Sequence, residues 1–255
     1  MSRAKVGLQM YTLRDDTAKD FVGTLRKVAE LGYEGVEFAG YGGLSAAQLR
    51  AELDSLGLVS LGAHISIDRM LSAADEEIEY NITLGSKYVA VPWLDESRYK
   101  DEASLREVCA QLEQIGRKCK ERGLILCYHN HSFELEVKFG GRMMLDYIYD
   151  TVPADLLQVE LDACWVHNAG VDPVAYIQQY SGRIPLVHFK DYKREGDHPE
   201  TVELGTGTVD LPGIAKAAAA AGTEWLIVEQ DVCKQNPPLV SVANSIEWMK
   251  QQGLR

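Results

Sequence analysis

The chain has 255 residues, and its 46% hydrophobic and 25% charged content is typical of a globular protein with a sizeable core. Its formal net charge of −12 argues against a nucleic-acid partner, because such binding draws most of its affinity from Lys and Arg. No apolar run approaches the roughly 20 residues of a bilayer span and no signal peptide is evident, so we expect no membrane partner. The five scattered cysteines predict reduced thiols in a cytoplasmic protein.

Eight short apolar segments alternate with amphipathic segments along the chain. The pattern predicts strands at Val6–Leu13, Tyr33–Ala39, Leu58–Ile65, Tyr88–Trp93, Leu124–His131, Leu156–Asp162, Pro185–Asp191 and Trp225–Asp231. A helix is predicted after each strand. The first runs through Phe21, Leu25 and Val28 and is capped by Asp15 or Asp16. The other seven are predicted over Ser45–Leu56, Asp68–Leu84, Asp101–Arg122 and Met143–Asp150, from Asp172, from Asp210 to Gly222, and over Leu239–Gln251.

Alternating strands and helices imply a parallel sheet of the α/β class. Eight such units in about 250 residues match the size of a (β/α)₈ barrel, which we predict as a single domain over residues 1–255. A doubly wound open sheet is the competing architecture. The polar segment Tyr192–Thr208 is predicted as a loop.

Polar side chains recur at the predicted carboxyl ends of the strands. They are Gln9, Tyr11, Glu37, His64, Trp93, His129, His131, Glu160, Asp162, His188, Lys190, Glu229 and Asp231. Each one alone is more often a satisfied core group or a cap, but a barrel brings all these strand ends together and predicts one shared site. Alternation along the seventh strand places Leu186, His188 and Lys190 on one side.

The recurring residue types predict a divalent metal ion. Asp, His and Glu offer oxygen and nitrogen ligands without thiolate, which suits Mn²⁺, Mg²⁺, Co²⁺ or Zn²⁺. We predict Asp162, His188 and Glu229 as ligands. A cation would also relieve the repulsion between the Asp162 and Glu229 carboxylates.

Several motifs together resemble those of one known group of barrels. They are Gly35-Val-Glu-Phe38, Tyr128-His-Asn-His131 with Phe133-Glu134, Leu161-Asp162, His188-Phe-Lys-Asp191 and the segment Trp225–Asp231. The chain is similar in these motifs to the xylose isomerase-like TIM barrels, often described as sugar phosphate isomerase/epimerase. The likeness spans nearly the whole chain.

The resemblance implies a divalent metal held by four ligands from strands five to eight. Ketose 3-epimerases of this group use Glu, Asp, His and Glu, and Asp162, His188 and Glu229 match the last three. The first position departs from that pattern, because His129 stands there and the nearest carboxylate, Glu134, lies five residues further on. His129 is favoured by position, with Glu134 as its rival.

The resemblance also implies a sugar or keto-sugar isomerase or epimerase that transfers a proton next to a metal-bound carbonyl through an enediolate. Glu229 is expected to serve as one base, and Glu134, His131 or His64 as the second. The alternatives are an inosose dehydratase-like lyase and a non-catalytic sugar-binding barrel. An abasic-site endonuclease would need a basic DNA face, which is not evident.

A further group of residues is expected to contact the sugar. The substrate-binding candidates are His64, Trp93, Lys190, Trp165 and Tyr11. The three aromatic rings would stack on the sugar or pack at the rim, and Lys190 would neutralise an anionic substrate or pair with Asp191 or Glu160. His167 would bind a hydroxyl or cap a loop, and Gly205-Thr-Gly207 would form a flexible loop rather than a phosphate nest. The assemblies considered are a homodimer and a homotetramer.

Overall fold

Eight parallel strands form the wall of a barrel. In the computed structural model, which describes residues 3–195 and 198–255, they are β1 (Lys5–Gln9), β2 (Gly35–Phe38), β3 (Val59–Ala63), β4 (Tyr88–Val91), β5 (Ile125–His129), β6 (Gln158–Asp162), β7 (Leu186–Phe189) and β8 (Trp225–Val228). They pair in the order β3-β2-β1-β8-β7-β6-β5-β4, and a parallel bridge between His64 and Ala90 joins the two outer strands. The predicted single-domain (β/α)₈ barrel is therefore confirmed.

A helix packs outside the barrel after each strand. The helices are α1 (Phe21–Leu31), α2 (Ala46–Leu56), α3 (Ile67–Leu84), α4 (Glu102–Glu121), α5 (Met144–Thr151), α6 (Pro173–Gln179), α7 (Leu211–Ala221) and α8 (Pro238–Gln251). Most of these helices begin at a residue whose side chain accepts a hydrogen bond from a first-turn N–H. The Ser and Asp residues at the predicted starts of α2, α4, α6 and α7 are such caps. The predicted cap of α1 is wrong, because Asp20 rather than Asp15 or Asp16 accepts the first-turn N–H, from Gly23.

Seven of the eight predicted strands run too far at their carboxyl ends, whereas the sixth ends at Asp162 as predicted. After β1 the chain turns into a 3₁₀ helix, Met10–Leu13, and a short helix, Arg14–Thr17, because Met10 and Leu13 turn back into the core. The loop predicted at 192–208 is partly wrong as well, since Asp191–Glu195 and His198–Val202 form an antiparallel hairpin. Residues 196 and 197 of that segment lie outside the described residues.

A register shift in β3 decides which of its side chains face the interior. The pairing with β2 skips one residue between Ser60 and Gly62, so β3 carries a bulge. Leu61 and His64 are three residues apart and would face opposite sides of a regular strand, yet both lie inside the barrel. At Gly62 any Cβ would collide with the backbone oxygen of Tyr88, so the closure of the barrel requires glycine there.

The lower interior of the barrel is filled by an apolar layer beneath the polar strand ends. Its buried members are Leu61, Tyr88, Ala90, Cys127, Leu186, Trp225 and Ile227. A larger apolar core lies between the strands and the helices. The inner layer closes the barrel from below, so a ligand can approach the polar groups from the carboxyl end only.

The cysteines carry free thiols, in agreement with the expectation from their spacing. None of the helices in the described ranges is both long and apolar enough to cross a membrane.

Candidate active site

The carboxyl ends of the strands surround a cavity of about 380 Å³. Its lining residues are Tyr11, Ala39, His64, Pro92, Trp93, His129, His131, Lys190, Glu229 and Asp231. Eight of the strand-end residues predicted for one shared site are therefore brought together at one surface. Asp162 and His188 are fully buried and contact members of this lining, whereas Glu134 and Trp165 lie outside it.

His188, on β7, bridges two carboxylates at the floor of the cavity. Its Nδ1 lies 2.7 Å from Glu229 Oε2 and its Nε2 lies 2.8 Å from Glu37 Oε2. Burial lowers the pKa of His188, but the carboxylates of Glu229, Glu160 and Glu37 outweigh it and raise that pKa well above the ordinary value. Without a metal ion these carboxylates favour the protonated ring, which has to release its proton before it can ligate a cation.

Glu160, on β6, gathers three imidazole rings around one oxygen. Its Oε1 lies 2.6 Å from His64 Nε2, 3.1 Å from His129 Nδ1 and 3.2 Å from His188 Nε2. Its Oε2 is buried and has no hydrogen-bond partner. A buried carboxylate oxygen without a partner is costly, and a ligand is one way to satisfy it.

Lys190 joins the acidic ends of β6 and β8. Its Nζ lies 2.7 Å from Glu229 Oε2, 2.9 Å from Asp162 Oδ2 and 3.2 Å from Asp231 Oδ1. Burial lowers the pKa of Lys190, but the three carboxylates raise it well above the ordinary value. The expected pairing with Asp191 or Glu160 is wrong, because alternation turns Asp191 away and the other three carboxylates lie closer.

Asp191 instead holds the loop after β7. Its Oδ2 accepts hydrogen bonds from the backbone N–H groups of Gly205 (3.0 Å) and Gly207 (2.8 Å), and its Oδ1 accepts those of Tyr192 (2.9 Å) and Val209 (3.1 Å). The loop at Gly205-Thr-Gly207 is therefore tied to Asp191 by backbone hydrogen bonds. The segment forms an anion nest that is occupied by a carboxylate of the same chain.

Two overlapping groups of side chains have ligand atoms within 4.8 Å of one another. One contains the predicted metal ligands His129, Asp162, His188 and Glu229, and the other contains His64, His129, Glu160 and His188. Buried nitrogen and oxygen donors without thiolate fit a divalent cation, and Glu160, whose Oε2 has no partner, belongs to the second group. Since Lys190 also contacts Asp162 and Glu229, a cation there has to share these carboxylates with an ammonium group.

Glu134 points away from the cavity. Its Oε1 accepts a hydrogen bond from the Tyr128 hydroxyl (2.9 Å) and its Oε2 accepts one from the His131 backbone N–H (2.8 Å). Burial raises the pKa of Glu134 to about 8. Because both oxygens are engaged and neither belongs to the two groups, the geometry favours His129 over Glu134 as the first metal ligand.

His131 presents an unpaired nitrogen beside the cavity. Its Nδ1 is buried and has no hydrogen-bond partner. Burial and the nearby Lys190 lower the pKa of His131 to about 3, so the ring is neutral. Trp165 stacks on it with ring centroids 6.2 Å apart and lies 5.6 Å from Lys190 Nζ, so this ring supports the wall from behind. His167 contacts Tyr192 and does not line the cavity.

One residue with a positioning role was not singled out from the sequence. Asn130 Oδ1 accepts a hydrogen bond from the Asp162 backbone N–H (2.9 Å), and Asn130 Nδ2 donates to the Asp162 carbonyl oxygen (3.3 Å). The side chain thereby fixes the end of β6 against β5. Its place between two predicted site histidines was the available signal.

Comparison with known proteins agrees with this architecture. A sequence model described as xylose isomerase-like TIM barrel matches residues 25–252. The chain belongs to this family.

Curated proteins that are similar in sequence to this chain include two that are named inosose dehydratase. The one from Geobacillus kaustophilus is 26% identical over 248 residues, covering 81% of this chain and 79% of the relative. The one from Lacticaseibacillus casei is 25% identical over 167 residues, covering 56% of this chain. The chain spans about half the length of that relative, 55%.

Several solved structures share the fold of this chain. A sugar phosphate isomerase/epimerase from Parabacteroides distasonis superimposes with a TM-score of 0.84 at 22% identity, covering 100% of this chain and 96% of that chain. An L-ribulose 3-epimerase gives 0.78 at 15% identity, covering 99% and 96%. The IOLI protein, solved with a bound zinc atom, gives 0.75 at 14% identity, covering 97% of each chain.

Proposed function

We propose that the protein is a divalent-metal-dependent isomerase or epimerase that transfers a proton next to the carbonyl of a sugar or keto-sugar. The observation that carries the proposal is the convergence of His129, Asp162, His188 and Glu229 within 4.8 Å at the cavity floor. Family membership supports a sugar as the substrate. The solved zinc-containing neighbour supports a metal, whose identity among Mn²⁺, Mg²⁺, Co²⁺ and Zn²⁺ is left open.

The metal would be held by His129, Asp162, His188 and Glu229. When bound, such an ion supplies a Lewis acid that polarises a carbonyl and stabilises negative charge on its oxygen. The remaining chemistry is proton transfer by the side chains of the chain itself.

Glu229 is the proposed base. Burial raises the pKa of Glu229, but Lys190 and His188 outweigh it and lower that pKa below the ordinary value, so the carboxylate is ionised. Proton removal by a positioned carboxylate contributes typically 10²–10⁴-fold in rate. Glu229, protonated by this step, would return the proton to the neighbouring carbon in an isomerisation. An epimerisation would need a second group that carries a proton on the opposite face, and His131 and His64, which line the cavity, are favoured over Glu134, which does not.

Dehydration is the second candidate, and the inosose dehydratase relatives favour it. The same proton removal would be followed by loss of a β-hydroxyl group. Lys190 and His64 both line the cavity, and either one would protonate the departing hydroxyl. Isomerisation and dehydration thus share their first step and differ in the fate of the resulting anion.

One experiment distinguishes these reactions. Protein loaded with Mn²⁺ is incubated in D₂O with a panel of ketoses and 3-keto-glycosides, and the products are followed by NMR and ultraviolet absorbance. Deuterium at the carbon next to the carbonyl is expected for an isomerase or epimerase. A new enone absorbance identifies dehydration instead. If neither signal appears with any member of the panel, the proposal is contradicted and a non-catalytic sugar-binding barrel is favoured.

A further inference from the structure

Two exposed aromatic rings flank the mouth of the cavity. Tyr11 follows β1 and is 44% exposed, and Trp93 follows β4 and is 51% exposed. Both rings line the cavity together with the proposed base Glu229. Large apolar side chains that remain exposed beside a polar site are a recognised mark of ligand binding.

Both rings are held in place by neighbouring side chains. The Arg14 guanidinium carbon lies 4.3 Å from the centre of the Tyr11 ring, and Arg14 also donates to the backbone oxygens of Tyr11 (2.9 Å) and Asp231 (2.8 Å). Trp93 meets Phe133 edge to face, with centroids 6.4 Å apart. Rings fixed before binding lose little freedom when a ligand stacks on them.

The cavity lacks a free positive group for a phosphate among its described lining residues. Lys190 is the one Lys or Arg in this lining, and three carboxylates already surround it. Two of these, Glu229 and Asp231, line the cavity themselves. A phosphate dianion at the mouth would therefore meet like charges and two aromatic rings. The Arg14 guanidinium does not line the cavity, and it is stacked on Tyr11 and donates to two backbone oxygens.

The backbone amides that barrels of this type use for phosphate are also engaged. That position is formed by the loops after the seventh and eighth strands. After β7, the N–H groups of Gly205 and Gly207 donate to Asp191. After β8, the N–H groups of Gln230 (3.0 Å) and Val232 (3.1 Å) donate to the hydroxyl groups of two different Thr side chains.

We propose that the substrate is an uncharged glycoside that carries a keto group on its reacting ring, rather than a sugar phosphate. This inference rests on the proposed function, because it places the reacting sugar ring against Glu229 and Lys190. The flat apolar face of the aglycone, or of a second sugar ring, then lies against Trp93 and Tyr11 at the mouth. Asp231, whose side chain is 26% exposed, accepts a hydroxyl hydrogen bond from the bound sugar.

Titration calorimetry with the full chain tests the assignment. The probes are methyl and phenyl glucoside, methyl and phenyl galactoside, cellobiose, and the 6-phosphates of glucose and galactose. We expect a phenyl glycoside to bind about 2- to 10-fold more tightly than its methyl counterpart, the range typical of one aromatic contact, and the phosphates to bind more weakly than either. A cellobiose preference without a phenyl preference would identify the outer group as a sugar.

Variants of the two aromatic residues test whether the phenyl preference arises at the mouth of the cavity. Trp93→Ala and Tyr11→Ala should each reduce the phenyl-to-methyl ratio, whereas Val240→Ala, at an exposed apolar position on α8, should leave it unchanged. The proposal is overturned if a 6-phosphate binds more tightly than the methyl glycosides, if the ratio survives both aromatic variants, or if no glycoside binds. Deuterium exchange on phosphorylated sugars would overturn the glycoside assignment while retaining the proposed reaction. A phenyl preference without any deuterium exchange would retain the glycoside assignment and overturn the proposed reaction.

Discussion

Lys190 Nζ lies 2.7 Å from Glu229 Oε2, so a buried ammonium group and the proposed base occupy the same corner of the barrel. The ammonium group also contacts Asp162, which is the second carboxylate of the proposed metal set. A divalent cation and Lys190 therefore compete for the same two carboxylates. This competition makes the metal affinity depend on a side chain that is not itself a ligand.

Lys190→Met should raise the affinity for Mn²⁺ by roughly tenfold, about 1.4 kcal/mol, because the competing charge is removed and the length of the side chain is kept. The metal-free variant should be destabilised by about 3–5 kcal/mol, since buried carboxylates lose their partner. Calorimetric metal titration and chemical denaturation measure the two effects. Lys234→Met, which removes an exposed partner of Glu200, is the control. Unchanged metal affinity in Lys190→Met would refute the competition.

Glu229→Gln should lower the rate of proton exchange by roughly 10²–10⁴-fold, because the amide cannot accept the proton. The variant should also bind metal more weakly, since one charged ligand is lost. Exchange of substrate hydrogen in D₂O is the measurement. Glu200→Gln, at a buried carboxylate that does not line the cavity, should retain full activity. Wild-type exchange in Glu229→Gln would assign the base to another residue.

Glu134→Gln should flatten the dependence of stability on pH. The pKa of Glu134 is raised from 4.5 to about 8 by burial, so between these values the unfolded chain releases a proton that the folded chain keeps. The free energy of unfolding of the parent therefore falls as the pH rises through this window, by on the order of a few kcal/mol from this group. Denaturation curves at about pH 5 and about pH 8 measure the difference. Glu136→Gln, exposed in the same short helix, is the matched control. An equal slope in Glu134→Gln and the parent would mean that Glu134 is ionised in the folded state.

Asp191→Asn should destabilise the protein by about 1.5–3 kcal/mol, because one of the two oxygens that accept backbone hydrogen bonds is replaced by a donor. Thermal unfolding is a sufficient measurement. Asp210→Asn is a matched control, since Asp210 caps α7 and Asn caps helices about as well. Equal melting temperatures for the two variants would show that the four hydrogen bonds to Asp191 contribute little.

The fold could be predicted because apolar periodicity repeats eight times in the sequence with few irregularities. The errors in the strands lie mainly at their carboxyl ends, where local sequence does not show that Met10 and Leu13 turn back into the core. The bulge in β3 could not be predicted from the local sequence either, because the skip at Leu61 appears only in the pairing with β2.

The side on which site residues lie was predictable, whereas their partners were not. Alternation placed His188 and Lys190 together, and both reach the cavity floor. The three carboxylates around Lys190 come from β6 and from the end of β8, so their arrangement depends on tertiary packing. The choice between His129 and Glu134 depended on the turn after β5, which directs Glu134 towards Tyr128.

The carboxylate of Asp191 occupies, from within the chain, the place that an oxyanion from solvent would take. A single codon change to alanine or glycine at this position would vacate four backbone amides at the loop after β7. The loop would then offer these amides to an external anion instead of satisfying them itself.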